Sequence, residues 1–208
     1  MIVRAAGFLA LVLLASAGCR RKAPAPPEDA LRRFALSVVE AARGPGGIGA
    51  ELVDDRLVED VRRLQLVKAV ARTTRESDRL LAALRGEVGP DGKPGKAEAP
   101  GRQRERASRG IRENMTGPCR ATRWDGGLAE RLDFLVGPLP GARPKEVVLA
   151  EGDLAKRLAG AELARVTCEK GDLGLLAVKG PGGSRRVVDL FPIVGSAAEV
   201  RPEEPERR

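Results

Sequence analysis

The sequence predicts an α+β domain, with amphipathic helices in its first half and a small antiparallel β-meander in its second half. Between residues 28 and 86, apolar side chains recur at steps of three and four, the period of a helix that buries one face. After residue 144, short runs rich in Val and Leu alternate with turns rich in Gly and Pro. With 208 residues, the chain is long enough to bury one ordinary core.

The first helix is predicted to begin at Pro27. Proline suits the first turn of a helix, and Glu28 and Asp29 place negative charge at its N-terminus. Gly44 ends the pattern. The apolar face consists of Leu31, Phe34, Ala35, Val38 and Ala42.

A second helical tract is predicted over residues 51–85, with apolar residues that include Leu57, Val61 and Leu64. Thr73 and Glu76 have the spacing of a capping box, which predicts a break between two helices at this point. We assign residues 28–86 as a helical region.

Residues 87–110 are dominated by Gly, Pro and charged side chains. Such a segment has little to bury and cannot offset the entropy lost on ordering. We therefore expect a flexible linker or loop.

Strands are predicted at residues 145–150, 163–169, 174–179 and 185–191, with a short helix at 153–160. Turn residues at 169–172 and 180–184 separate the last three strands. Because side chains alternate along a strand, Cys168 shares the inward face with Ala164 and Val166.

We expect residues 111–195 to form one domain together with residues 28–86, followed by a polar tail at 196–208. The order of helices followed by a curved antiparallel sheet is similar to that of cystatin-like and nuclear-transport-factor-2-like folds. This resemblance concerns the order of the elements alone and implies no function.

The N-terminus has the layout of an export signal: Arg4 precedes an apolar run at 5–17, and small residues lead into Cys19. The sequence Leu-Ala-Ser-Ala-Gly-Cys at 14–19 resembles the lipobox of bacterial lipoproteins. The resemblance implies that residues 1–18 are a signal peptide, that cleavage leaves Cys19 as the N-terminus, and that Cys19 carries lipid, with palmitate among the acyl chains. Residues 15–17 also form an A-x-A site, so the alternative is a soluble secreted protein cut after Ala17.

Residues 19–27 are predicted to be the tether of such an anchor, because they are first basic and then Pro-rich. Some bacteria sort lipoproteins by the residue that follows the lipidated cysteine, and an Asp at that position resembles a signal for retention in the inner membrane. In this sequence the residue after Cys19 is Arg20, which does not resemble that signal. The resemblance therefore implies a lipid anchor in the cell envelope, at the outer membrane facing the periplasm.

Cys119 and Cys168 are the two cysteines left once Cys19 is assigned to the lipid anchor. An exported domain lies in an oxidising compartment, where disulfides persist. We predict a disulfide between them. Two alternatives stay open: two buried thiols that pack as small apolar groups, and a redox-active pair. The pair lacks the C-x-x-C spacing of thiol redox proteins.

The chain contains no histidine, which excludes Ser-His-Asp and Cys-His catalysis, the H-E-x-x-H site and the usual zinc ligands.

Residues 44–49 match G-x-G-x-x-G, but they follow a predicted helix and contain proline, so they are interpreted as a helix stop and loop. The densest cluster of carboxylates has two interpretations. It is either a cation or acid–base site, or a solvated helix face on which arginines alternate with the carboxylates. It comprises Asp54, Asp55, Glu59 and Asp60.

The formal net charge of +8 is compatible with binding to nucleic acid. The densest basic run contains no aromatic side chain for base stacking, which favours a solvated loop. Trp124, the only tryptophan, is predicted to be a partly buried anchor near Cys119. The basic run comprises Arg102, Arg104, Arg106, Arg109 and Arg112.

These patterns predict an envelope lipoprotein with a binding or structural domain, and they predict no catalytic residue, cofactor or metal site. We expect contact with the membrane through the lipid, an envelope protein as a possible partner, and no nucleic acid. The alternative from another class is an envelope enzyme that uses carboxylates or the Cys119 and Cys168 pair.

Overall fold

The computed structural model describes residues 27–89, 91, 93–94, 99–139 and 141–193. The predicted signal peptide, Cys19, nearly all of the tether and the polar tail lie outside these residues. The helices are α1 Pro27–Arg43, α2 Asp55–Val70, α3 Ser77–Arg85, α4 Pro100–Asn114, α5 Asp125–Val136 and α6 Lys145–Leu158. The strands are β1 Thr116–Arg123, β2 Glu162–Lys170, β3 Asp172–Lys179 and β4 Arg185–Pro192.

The four strands form one antiparallel sheet in the order β1-β2-β3-β4, which confirms the predicted α+β class. The hairpin between β2 and β3 turns at Gly171, whose φ of 91° is strained for a residue with a side chain. A bulge interrupts the pairing of β3 with β4 between Leu176 and Ala177. The edge strand β4 therefore bends where it meets the helices.

Helices cover both faces of the sheet. On one face, α1 packs its predicted apolar stripe against Ala164, Val166 and Leu175. All of these side chains are buried except that of Phe34, which is partly buried. On the other face, α2, α5 and α6 enclose Leu163 and Leu176. A third cluster joins α2, α3 and Val147 of α6 beyond the sheet.

The first helices follow the sequence pattern closely. Gly44 ends α1, and its N–H donates to the carbonyls of Glu40 and Ala41. Asp54 caps α2, because its side chain accepts a hydrogen bond from the N–H of Leu57. The break between α2 and α3 falls where it was predicted, but no capping box forms, since the Thr73 hydroxyl donates to the Val70 carbonyl.

The predicted linker is wrong over residues 100–110, which belong to α4. Pro100 begins this helix, and Ser108 and Ile111 are buried on its inner face. The Ser108 hydroxyl accepts the N–H of Ile48 and donates to the Arg104 carbonyl. Ser108 is thus a buried polar residue at a position where the prediction of a helix from apolar periodicity needs an apolar one.

The prediction also missed β1 and α5, and it was wrong at residues 145–150, which form the start of α6 and not a strand. The predicted strands at 163–169, 174–179 and 185–191 correspond to β2, β3 and β4. No helix in the described part of the chain is both long and apolar enough to cross a membrane.

Candidate functional site

The structure joins Cys119 to Cys168 by a disulfide bond (S–S 2.01 Å) between directly opposed positions of β1 and β2. Cys168 is buried with Ala164 and Val166, as predicted. The Arg43 guanidinium, at the end of α1, lies against both sulfur atoms, with Nη2 3.0 Å from Sγ of Cys119 and 3.4 Å from Sγ of Cys168. The same guanidinium donates to the carbonyls of Met115 and Gly117.

The predicted carboxylate cluster is divided between a helix cap and separate ion pairs. Asp54 caps α2, Asp55 pairs with Arg104 of α4, and Asp60 pairs with Arg157 of α6. Of the two interpretations left open by the sequence, this geometry favours the paired helix face. Within the described ranges, no group of three or more His, Cys, Asp or Glu side chains is arranged to hold a metal ion.

Glu59 is the most strongly perturbed carboxylate of this cluster. Its oxygens accept hydrogen bonds from Arg62 at 2.7 and 2.8 Å and from Arg63 at 2.9 Å. The hydrogen bonds from Arg62 contribute most, and with Arg63 and Gln103 they outweigh burial and lower the pKa of Glu59 from 4.5 to about 2. Glu59 therefore stays ionised in moderately acidic solution.

We expect Glu59→Gln to lower the free energy of unfolding by about 1–2 kcal/mol at neutral pH, allowing for solvent screening. A lowered folded-state pKa stabilises the fold above the unfolded value, so the difference from wild type should shrink as pH falls from 4.5 to about 2. Urea unfolding across this range measures it. Glu130→Gln, on an exposed part of α5, is the control. A difference that does not change with pH would contradict the assignment.

A groove of about 530 Å³ lies between α2, α4, α5 and the edge strand β4. Its lining is mostly apolar and comes from all four elements. Cavities of this size and character commonly hold small molecules. The apolar lining consists of Ile48, Val53, Val58, Val61, Ala107, Phe134, Leu135, Val187, Val188 and Leu190.

The polar lining of the groove is rich in guanidinium groups. Four arginines line it, against two carboxylates, Asp55 and Asp189. Both carboxylates are held in ion pairs with arginines of the groove, namely Arg104 and Arg131. A third arginine of the lining, Arg62, donates hydrogen bonds to Glu59. Because a guanidinium group has five N–H donors, a paired arginine can still donate to an anionic group. The four arginines are Arg62, Arg104, Arg106 and Arg131.

Arg131 occupies the centre of this arrangement. Its Nε and Nη2 lie 2.6 and 2.5 Å from Oδ2 of Asp189. Its Cζ lies 3.9 Å from the ring centroid of Phe191 and 4.7 Å from that of Phe134. Gly174 makes room for Phe191, since a Cβ there would lie 2.2 Å from the ring. Burial raises the pKa of Asp189, and the Arg131 charge opposes this shift.

The outer edge of β4 offers few free backbone groups for pairing with another strand. The Val187 carbonyl accepts the N–H of Asp54. Pro192 has no N–H to donate. Because an added strand needs a row of available backbone groups, the groove is not suited to a peptide that extends the sheet.

A second cavity, of about 520 Å³, adjoins the C-terminal end of α5. Gln65 and Lys68 of α2 cap this end, because Nε2 of Gln65 and Nζ of Lys68 donate to the Phe134 carbonyl at 3.1 and 2.7 Å. Burial lowers the pKa of Lys68, whereas the nearby Glu151 and Asp133 raise it. Arg72 and Arg75 also line the cavity.

The structure changes two further interpretations. Trp124 is partly buried as predicted, but it packs with Phe191 at a centroid distance of 6.4 Å, in a different cluster from Cys119. The predicted basic loop is part of α4, where Arg104 pairs with Asp55 and Arg109 with Glu105.

No protein-family model matches the chain, and no curated protein or solved structure matches it either. The analogy with cystatin-like and nuclear-transport-factor-2-like folds therefore has no support beyond the order of the elements. The groove has to be interpreted from its own residues.

Proposed function

We propose that the protein is a lipid-anchored lipoprotein of the bacterial envelope whose α+β domain binds an anionic amphiphile in the groove. The observation that carries the proposal is the combination of a mostly apolar lining with four arginine side chains. An apolar chain removes lining surface from water, which is favourable by about 25 cal/mol per Å². An anionic group accepts hydrogen bonds from the guanidinium groups of the lining.

The geometry favours this ligand class over a catalytic substrate. The groove's carboxylates, Asp55 and Asp189, are both engaged by arginine, so neither is placed as an unpaired acid or base. A cationic ligand would meet like charge. Anionic amphiphiles are the class that satisfies both parts of the lining.

The groove is tested by measuring the binding of three dodecyl compounds that differ in charge: dodecyl phosphate, dodecanol and dodecyltrimethylammonium. We expect the anion to bind about five- to tenfold more tightly than the cation. Calorimetry measures the affinities, and the fluorescence of the only tryptophan, Trp124, reports binding near Phe191.

Val58→Phe places a larger side chain in the groove and leaves less room for a ligand. It should weaken the binding of all three compounds. Leu149→Phe adds the same kind of ring at a site that is 61% exposed on α6, and is the matched control. Equal affinities for the anion and the cation, or equal effects of the two variants, would contradict the proposed groove.

The lipid anchor rests on the resemblance of residues 14–19 to a lipobox and is tested separately. Cys19→Ala should abolish both processing at this site and labelling by palmitate, because the cysteine sulfur is the acceptor of the lipid. Cell fractionation and intact mass measure the outcome. A variant that is processed and fractionates like wild type would instead support the secreted protein cut after Ala17.

One observation favours the enzyme alternative. A cation beside a cysteine sulfur stabilises the thiolate, and Arg43 lies within 3.4 Å of both sulfurs of the disulfide. Against it, Cys168 is buried in the core. The disulfide experiment described in the Discussion distinguishes a structural bridge from an exchangeable one.

A further inference from the structure

The groove and the second cavity meet at a partition formed by two residues, Gln65 of α2 and Phe134 of α5, which line both cavities. The cavities on its two sides have similar volumes, about 530 and 520 Å³. Nε2 of Gln65 donates to the carbonyls of Phe134 and Leu135 at 3.1 and 3.0 Å. The two residues of the partition are therefore bonded to each other.

The Phe134 ring is the part of the partition that a ligand can contact. The residue is 50% exposed. Its carbonyl accepts hydrogen bonds from Gln65 and Lys68, so the exposed surface belongs mainly to the ring. Removing the ring therefore removes the outer part of the partition and leaves the backbone hydrogen bonds of α5 in place.

Arg131 holds the Phe134 ring at this position. Its Cζ lies 4.7 Å from the ring centroid, within the range of a cation–π contact. The guanidinium is itself hydrogen-bonded to Asp189 of β4 and lies over the Phe191 ring. Because the support of the ring is anchored in the sheet, the ring forms a fixed end to the groove.

We propose that Phe134 limits the length of the apolar chain that the groove accepts, so that the ligand is a medium-chain and not a long-chain amphiphile. Methylenes beyond the ring stay in water and add nothing to the affinity, since only buried apolar surface contributes. The length limit rests on the proposed function and adds a residue that determines specificity.

The test measures the binding of octyl, decyl, dodecyl, tetradecyl and hexadecyl phosphate by calorimetry, below their micelle concentrations. In wild type, affinity should rise about fourfold for each buried methylene and stop rising before hexadecyl phosphate. Phe134→Ala joins the groove to the second cavity, so affinity should continue to rise beyond that length. Two further buried methylenes correspond to a gain of about fifteenfold.

The quantity compared is the chain length at which affinity stops rising, because loss of the ring contact lowers the affinity for all chains. Leu149→Ala is the matched control, since it removes a 61% exposed apolar side chain that lines neither cavity. It should keep the length limit of wild type. Phe134→Trp retains a ring at the partition and should not lengthen the accepted chain.

The same limit in wild type and Phe134→Ala would overturn the role of Phe134 and leave the groove as the binding site. An affinity that rises up to hexadecyl phosphate in wild type would overturn it too. If Phe134→Ala does not fold, as judged by circular dichroism, Phe134→Leu removes the ring but keeps an apolar side chain and gives the same comparison. If no alkyl phosphate binds to wild type, the proposed function itself fails.

Discussion

Replacing Cys119 and Cys168 together with alanine is expected to lower the free energy of unfolding by about 4 kcal/mol, the chain-entropy value for a loop of this size. The bond closes a loop with a sequence separation of 49, so its removal gives the unfolded chain many more conformations. It also links two antiparallel neighbours, β1 and β2, within the sheet. Urea unfolding followed by circular dichroism measures the loss.

Reduction of the wild-type protein should give the same loss of stability, which shows that the effect comes from the bond and not from the new alanines. A structural bridge should resist mild reductant, because Cys168 is buried. If glutathione opens the bond readily and the melting temperature does not change, the structural role is wrong and the redox alternative gains support. Arg43→Met would then be expected to raise the pKa of the released thiol.

Periodicity identified the elements that bury a regular apolar stripe. The predicted stripe from Leu31 to Ala42 lies on the buried face of α1, and the runs after residue 162 form β2, β3 and β4. In these segments the local period and the tertiary packing agree, so a sequence alone is sufficient to predict them.

Periodicity failed where few apolar residues decide the structure. In α4 the inner face depends on Ile111, the small Ala107 and the hydrogen-bonded Ser108, which leaves no visible stripe among its charged residues. In α6 the run Val147 to Leu149 has β-propensity, but only Val147 is buried. Tertiary contacts override local preference in both cases.

The candidate groove could not be predicted, because its residues come from four elements that are distant in sequence. Arg131 and Asp189, for example, are separated by 58 positions and meet only after α5 packs against β4. Two signals were visible in the sequence. Arg104 was interpreted as part of a solvated loop, and Asp55 as part of a cluster that is either a cation or acid–base site or a solvated helix face. The structure shows that they pair with each other.

Asp189→Ala is expected to lower the free energy of unfolding by about 3 kcal/mol, at the lower end of the range for breaking a buried ion pair. The side chains of Arg131 and Asp189 are only 18% and 15% exposed, and the guanidinium lies between two phenylalanine rings. Without its carboxylate, the arginine keeps a poorly solvated charge with no counterion.

The double variant Arg131→Met/Asp189→Leu is the informative comparison. It replaces the whole pair by apolar groups of similar size, and such replacements are often neutral or stabilising by about 1–4 kcal/mol. We therefore expect the double variant to be at least as stable as wild type, and much more stable than Asp189→Ala. Urea unfolding of wild type, Arg131→Met, Asp189→Leu and the double variant gives the coupling energy between the two side chains. A single variant as stable as wild type would show that water screens the pair, because only an accessible guanidinium can lose its counterion without cost.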